Sequence, residues 1–129
     1  MRIFVTISDK TLEQTAKNVD LILNSNTTNT LNIICLDEDG VVVDITGAEV
    51  IFVVKEKVSD TDTSSAIYLE VAELTNPTSG EFDIEIEPDD CDEVVGNFVY
   101  GVQITLSDDK VYKLMEGTVC FRYNIVGIE

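Results

Sequence analysis

Carboxylates are the residues of this chain best equipped for chemistry, and they come in clusters. Asp37, Glu38 and Asp39 stand together, as do Asp60 and Asp62, and then Asp89, Asp90, Asp92 and Glu93. Runs of this kind offer the hard oxygen ligands that Ca²⁺ takes, which makes Asp37, Asp39, Asp60, Asp62, Asp89, Asp90 and Asp92 the candidate metal ligands. No cluster has the loop spacing of an EF-hand. The expectation is therefore turn chemistry and solvated charge rather than a metal centre. Paired carboxylates also serve glycoside hydrolysis, but the chain has no Trp and few aromatic residues to form a sugar platform. It has no His to act as base for a serine or cysteine nucleophile. The expectation is a protein with no catalytic residues and no cofactor.

Three cysteines, Cys35, Cys91 and Cys120, lie outside any CxxC pair. Cys35 shares a strand face with Leu31 and Ile33, the place of a small core residue. Cys120 alternates with Thr118 and Arg122 and is expected to face outward. Opposite faces argue against a bridge between the two, and all three read as reduced thiols of a protein made in a reducing cytosol.

The formal net charge is −17 over 129 residues, and it is unevenly placed. Residues 1–30 balance Arg2, Lys10 and Lys17 against Asp9, Glu13 and Asp20, so the whole excess falls on residues 31–129. A field of that sign repels phosphate backbones and disfavours nucleic acid as a partner. No apolar run is long enough to span a membrane, and the start, MRIFVTISDK, does not read as a secretory signal.

These residues need elements to hold them, and the pattern supplies strands. RIFVTI (2–7) is β-prone, a short helix is expected over 12–17, and NVDLIL (18–23) alternates as a strand. The polar tract 24–30 reads as a boundary between an N-terminal arm (1–30) and a sandwich (31–129). Strands are expected at 31–36, 41–45, 48–57, 66–72, 82–86, 98–106, 111–115 and 118–124, the last burying Val119, Phe121 and Tyr123. Turns are expected at Asp37–Gly40, Asn76–Gly80 and Ser107–Lys110, with a helical first turn at 89–93. Short strands at this spacing indicate an all-β sandwich of seven to nine strands with an N-terminal extension.

Two sets of apolar residues are candidates for a partner interface. Ile51 and Val53 lie on the outward face of their strand with Lys55, and Val99 joins them from a neighbouring strand; a solvent-facing apolar stripe marks a contact surface. Ile3, Val5, Leu21 and Leu23 sit on β-prone segments of the arm, which either add a strand to a neighbour or fold back on their own domain. In the first case a chain lacking residues 1–24 stays folded and soluble.

Three stretches, LDEDGVVVDITGAEVIFVVKEK, LTNPTSGEFDIEIEPDD and NFVYGVQITLSDDKVYKLMEGTVCF, follow one another in order. Together, from about Leu31 to Tyr123, they resemble the small immunoglobulin-like module of tailed-phage structural proteins. They are similar in particular to the N-terminal domain of baseplate upper proteins and to similar domains of other tail and head accessory proteins. The resemblance implies an immunoglobulin-like sandwich with a docking role in the virion, assembled in the host cytoplasm, and brings no catalytic residue with it. Its partners would be other virion structural proteins, in a homo-oligomer or a symmetric multi-copy arrangement. The chain length fits an adaptor or decoration subunit better than a fibre-bearing protein. The alternative expectation is a Ca²⁺-dependent adhesion module that holds ligands or glycans through its acidic loops.

Overall fold

Apolar side chains at every second position, many of them β-branched, leave this chain few options but extended strands with one face turned inward. The structure is a computed structural model that describes residues 2–6, 17–56, 66–71 and 74–123. It contains nine strands among them: β1 (Arg2–Thr6), β2 (Lys17–Asn18), β3 (Leu21–Asn24), β4 (Asn29–Leu36), β5 (Glu49–Lys55), β6 (Ile67–Val71), β7 (Glu81–Ile86), β8 (Gly96–Thr105) and β9 (Val111–Arg122). The smaller sheet has the order β1-β4-β7; the larger runs β2-β9-β8-β5-β6, with β3 also on β9. The inward residues of both sheets meet in one core, including Ile33, Phe82 and Ile84 from one side and Phe52, Val102 and Phe121 from the other. The protein is an all-β sandwich.

The first thirty residues contribute to both layers. β1 lies parallel on β4, with Ile3 opposite Ile33 and Val5 opposite Cys35. β3 lies parallel on β9, with Leu21 opposite Val119 and Leu23 opposite Phe121. Ile3, Val5, Leu21 and Leu23 are all buried in this core. This corrects the reading of those four residues as a partner surface, because a period of two looks the same whether a strand pairs within its chain or outside it.

The polar tract that read as a linker is a pinned turn. Ser25 is buried; its N–H donates to the Arg122 carbonyl at 2.8 Å and its hydroxyl to the Cys91 carbonyl at 2.9 Å. The Asn29 amide donates to the Asn24 carbonyl at 2.8 Å, and the Thr27 hydroxyl to the same oxygen at 2.9 Å. The asparagines and threonines are there to satisfy backbone groups, as short polar side chains do in turns.

Other expectations shift for identifiable reasons. Residues 41–45 make one isolated bridge, Leu36 with Val42, rather than a strand, because β1 holds one edge of β4 through Leu36 and β7 holds the other up to Ile34, which leaves only the end of β4 to pair with. The segment 89–93 forms two successive turns instead of a helix, closed by Asp90 N–H to Glu87 and Val94 N–H to Cys91. Tyr123 is 69% exposed, since β9 ends at Arg122. Leu69 and Val71 are only half-buried because β6 is an edge. Cys120 is half-buried, Cys35 and Cys91 are buried, and all three are free thiols. The expected helix at 12–17 and the loop at 58–65 lie outside the described residues, apart from Lys17, which begins β2.

Removing residues 1–24 takes four core side chains with it. At about 1.5–3 kcal/mol for each buried aliphatic side chain, the loss is comparable to the roughly 5–15 kcal/mol that holds a domain together. The truncated chain is expected to lose its cooperative thermal transition, as followed by far-UV circular dichroism; a sharp transition near that of the full chain would show that the core closes without β1 and β3.

Candidate functional site

The larger sheet has an outward face that is not the expected solvated one. On β5 the inward residues Val50, Phe52 and Val54 are buried, while Ile51, Val53 and Lys55 alternate outward and are half-covered. The antiparallel register sets Ile51 opposite Gln103, Val53 opposite Gly101 and Lys55 opposite Val99. The next pairing brings Thr118 beside Val99, Glu116 beside Gly101 and Lys113 beside Gln103. Two strands, β5 and β8, therefore present Ile51, Val53 and Val99 around a residue that has no side chain, with Lys113, Glu116 and Thr118 of β9 along the other side.

The result is a groove of about 530 Å³. A β-carbon at Gly101 would meet nothing nearer than the Met115 carbonyl oxygen at 3.9 Å. The backbone does not require glycine there, and glycine inside a strand weakens it. Its effect is to keep the floor of the groove open. Among the residues sequence reasoning named, Ile51, Val53 and Val99 come together here. Gly101, Gln103, Lys113, Glu116 and Thr118 were missed. The signal for Gly101 was available: a glycine in the middle of a strongly apolar strand.

The β9 side of the groove is shaped by an irregularity. The register shifts between Val102 and Gln103, so that Leu114 and Met115 are both buried and Lys113 and Glu116 both point outward. A bulge of this kind re-aims side chains along the strand that carries it. One end of the groove is closed by Asn18, ahead of the segment that joins β2 to β3. The Tyr100 hydroxyl donates to the Val19 carbonyl at 2.5 Å and the Thr118 hydroxyl to Asp20 at 2.8 Å. Tyr100 reaches there from the core, where its ring lies 6.1 Å from that of Phe52.

Charge is distributed against the trend of the molecule. The structure describes the side chains of four basic residues, Lys55, Lys110, Lys113 and Arg122, and two of them line the groove. Of nineteen described acidic side chains only Glu116 does. On a protein of net charge −17 the groove thus has an apolar floor with a lysine at each of two opposite corners and one glutamate between.

The candidate metal ligands are placed otherwise. Among the described residues no three His, Cys, Asp or Glu side chains converge on a site for a metal ion. Asp37 accepts the N–H groups of Asp39 and Val41, each at 2.9 Å, and Asp90 accepts that of Glu87 at 2.9 Å. Asp39, Asp89 and Asp92 are exposed, and Asp60 and Asp62 lie outside the described residues. No described helix is long and apolar enough to cross a membrane.

The fold and this face define a β-sandwich with a groove on one sheet. No protein-family model matches the chain, and no curated protein matches it. Among solved structures it is similar to the N-terminal domain of phage TP901-1 ORF48, with a TM-score of 0.48 and 11% identity over 96% of this chain and 99% of that one.

Two predictions follow from the groove and its support. Gly101→Val is expected to fit the open floor and to leave stability unchanged or raise it by up to about 1 kcal/mol, read as the urea midpoint; a marked loss would mean the floor is already filled. Burial pushes the Tyr100 phenol, with Asp20 adding to the effect, and the Cys35 thiol up to about 12, from ordinary values of 10.0 and 9.0. Both groups ionise more readily in the unfolded chain, so their stabilisation is complete below about pH 9 and falls as pH rises from there towards 12. Melting temperature is expected to drop through that window, and less steeply in Tyr100→Phe; parallel curves for the two proteins would exclude the role of Tyr100.

Proposed function

We propose that this chain is a non-enzymatic structural subunit of a tailed-phage particle, an adaptor or decoration protein that binds its neighbours in the virion through the outer face of the larger sheet. The observation that carries the docking reading is the groove over Gly101. A sandwich strand normally turns polar residues to solvent, whereas β5 and β8 turn Ile51, Val53 and Val99 outward and leave a gap between them. A surface of this kind is the usual mark of a protein contact. The assignment to a phage particle rests on the sequence resemblance of residues 31–123. The segments that carry it form β4 to β5, β7, and the β8–β9 hairpin. The same reading makes the acidic remainder of the surface a solvating coat that keeps a multi-copy subunit soluble in the host cytoplasm before assembly.

The test is quantitative mass spectrometry of purified particles of the source virus, wild type and Val53→Glu. The wild-type chain is expected at a defined copy number per particle. The variant, shown to melt within a few degrees of wild type, is expected to be depleted at least tenfold. Normal incorporation of Val53→Glu would remove the groove from the docking role, and absence of the wild-type chain from particles would remove the virion role.

A further inference from the structure

Resting on the docking reading above, one further question is what fills the groove. A second surface of the molecule is equally unexplained by the fold. The turn that follows β4 is held by four hydrogen bonds: Asp37 N–H to the Val41 carbonyl at 2.7 Å, Gly40 N–H to the Asp37 carbonyl at 3.1 Å, and the two N–H groups on the Asp37 carboxylate at 2.9 Å each. Gly40 takes φ +80° to close it. This ordered turn holds Val41 57% and Val42 48% exposed, directly after the exposed carboxylates of Glu38 and Asp39. Two aliphatic side chains are thus fixed in water, beside acids, by a turn that has already lost its conformational freedom.

We propose that the groove of one copy receives the Asp37–Val42 turn of a second copy. The match holds in both respects that recognition needs. The valines meet the floor formed by Ile51, Val53 and Val99, and the carboxylates of Glu38 and Asp39 meet the lysine rim. The turn is preorganised, so docking it costs little ordering entropy. The turn extends from a strand of the smaller sheet, while the groove lies on the face of the larger sheet turned away from the core and hence from the smaller sheet. A copy therefore offers its turn to a different copy's groove. Each chain has one turn and one groove, so the contact is head-to-tail and either closes into a ring or propagates. Exposed ion pairs contribute little, which leaves the apolar contact as the main attraction. Repulsion between two bodies of charge −17 opposes it and is screened beyond about 8 Å at physiological ionic strength. Association is therefore stronger at moderate salt than at low salt.

The experiment is sedimentation velocity on the purified full chain across concentration at low and moderate NaCl. The weight-average mass is expected to rise above 14.3 kDa with concentration, more so at moderate salt. Val53→Glu, with Gly101→Val as a second way of blocking the groove, and the double variant Val41→Asp/Val42→Asp are each expected to stay monomeric while keeping the wild-type circular dichroism spectrum. Mixing a groove variant with the turn variant is expected to give dimers and nothing larger, because the mixture contains one competent turn and one competent groove per pair. A wild-type chain that stays monomeric under all conditions would overturn the proposal, as would a turn variant that associates like wild type. If the chain is monomeric and Val53→Glu is nevertheless lost from particles, the groove binds a different virion protein: the self-association falls and the docking reading stands.

Discussion

The larger sheet depends on how closely the backbone around Asn18 to Asp20 can approach β9. A β-carbon at Gly117 would lie 2.6 Å from the Val19 carbonyl oxygen and 3.0 Å from the Asn18 side-chain oxygen, and the residue takes φ +155°. Only glycine meets both conditions without displacing the chain. With that contact made, Val19 N–H reaches the Glu116 carbonyl at 3.2 Å and the Tyr100 hydroxyl reaches Val19 from below. β3 then continues parallel along β9 and delivers Leu21 and Leu23 to the core. The turn at Asn24–Asn29 follows from the same placement, since Ser25 bonds to Arg122 at the end of β9 and to Cys91 across the sandwich. One short stretch of close packing thus sets the N-terminal edge of the sheet, part of the core and one end of the groove.

What could be read in the sequence follows from how each signal arises. β7 was plain because Phe82, Ile84 and Ile86 alternate with Glu81, Asp83 and Glu85 without interruption, and they form one strand with that burial pattern. Ile51, Val53 and Val99 were legible as outward apolar residues because alternation in β5 and β8 is unbroken on that side. Gly101 carries no polarity and is silent in the alternation itself; its signal is of another kind, a glycine in the middle of a strongly apolar strand. Lys113 and Glu116 were hidden by the bulge: the pattern loses phase near 114–117, which reads as two strands with a gap, whereas β9 runs through from Val111 to Arg122. The strand pattern of 41–45 was real, but strand propensity does not reveal whether an unoccupied edge exists to pair with.

The acidic residues show a related limit. A cluster such as Asp37, Glu38 and Asp39 has the composition of a cation site, yet Oδ1 of Asp37 already accepts two backbone N–H groups of its own turn. Asp44 is used in the same way: its carboxyl accepts the hydroxyl and N–H of Thr46, at 2.6 and 2.9 Å, and these bonds hold it below the usual carboxylate range. Where turns begin with an Asp that accepts its own turn's N–H groups, as at Asp37, Asp44 and Asp108, acidic composition follows from turn chemistry. It therefore says little about ligands until the acceptors are traced.

One face of the larger sheet is the exception to that rule. Turn chemistry accounts for acids at the ends of strands, but it does not account for lysines and aliphatic residues in the middle of an exposed sheet face, around a glycine the backbone does not need. Stability alone would favour a β-branched residue at position 101, since β8 is paired on both edges and its neighbours Val99 and Val102 are of that type. A strand that forgoes that stabilisation at its centre, on the face where two of its neighbours are apolar, keeps a recess that the sandwich has no use for. On the docking reading such a recess is there to be occupied, and its apolar floor and two lysines, on a molecule of opposite sign, suit an occupant that is apolar and acidic.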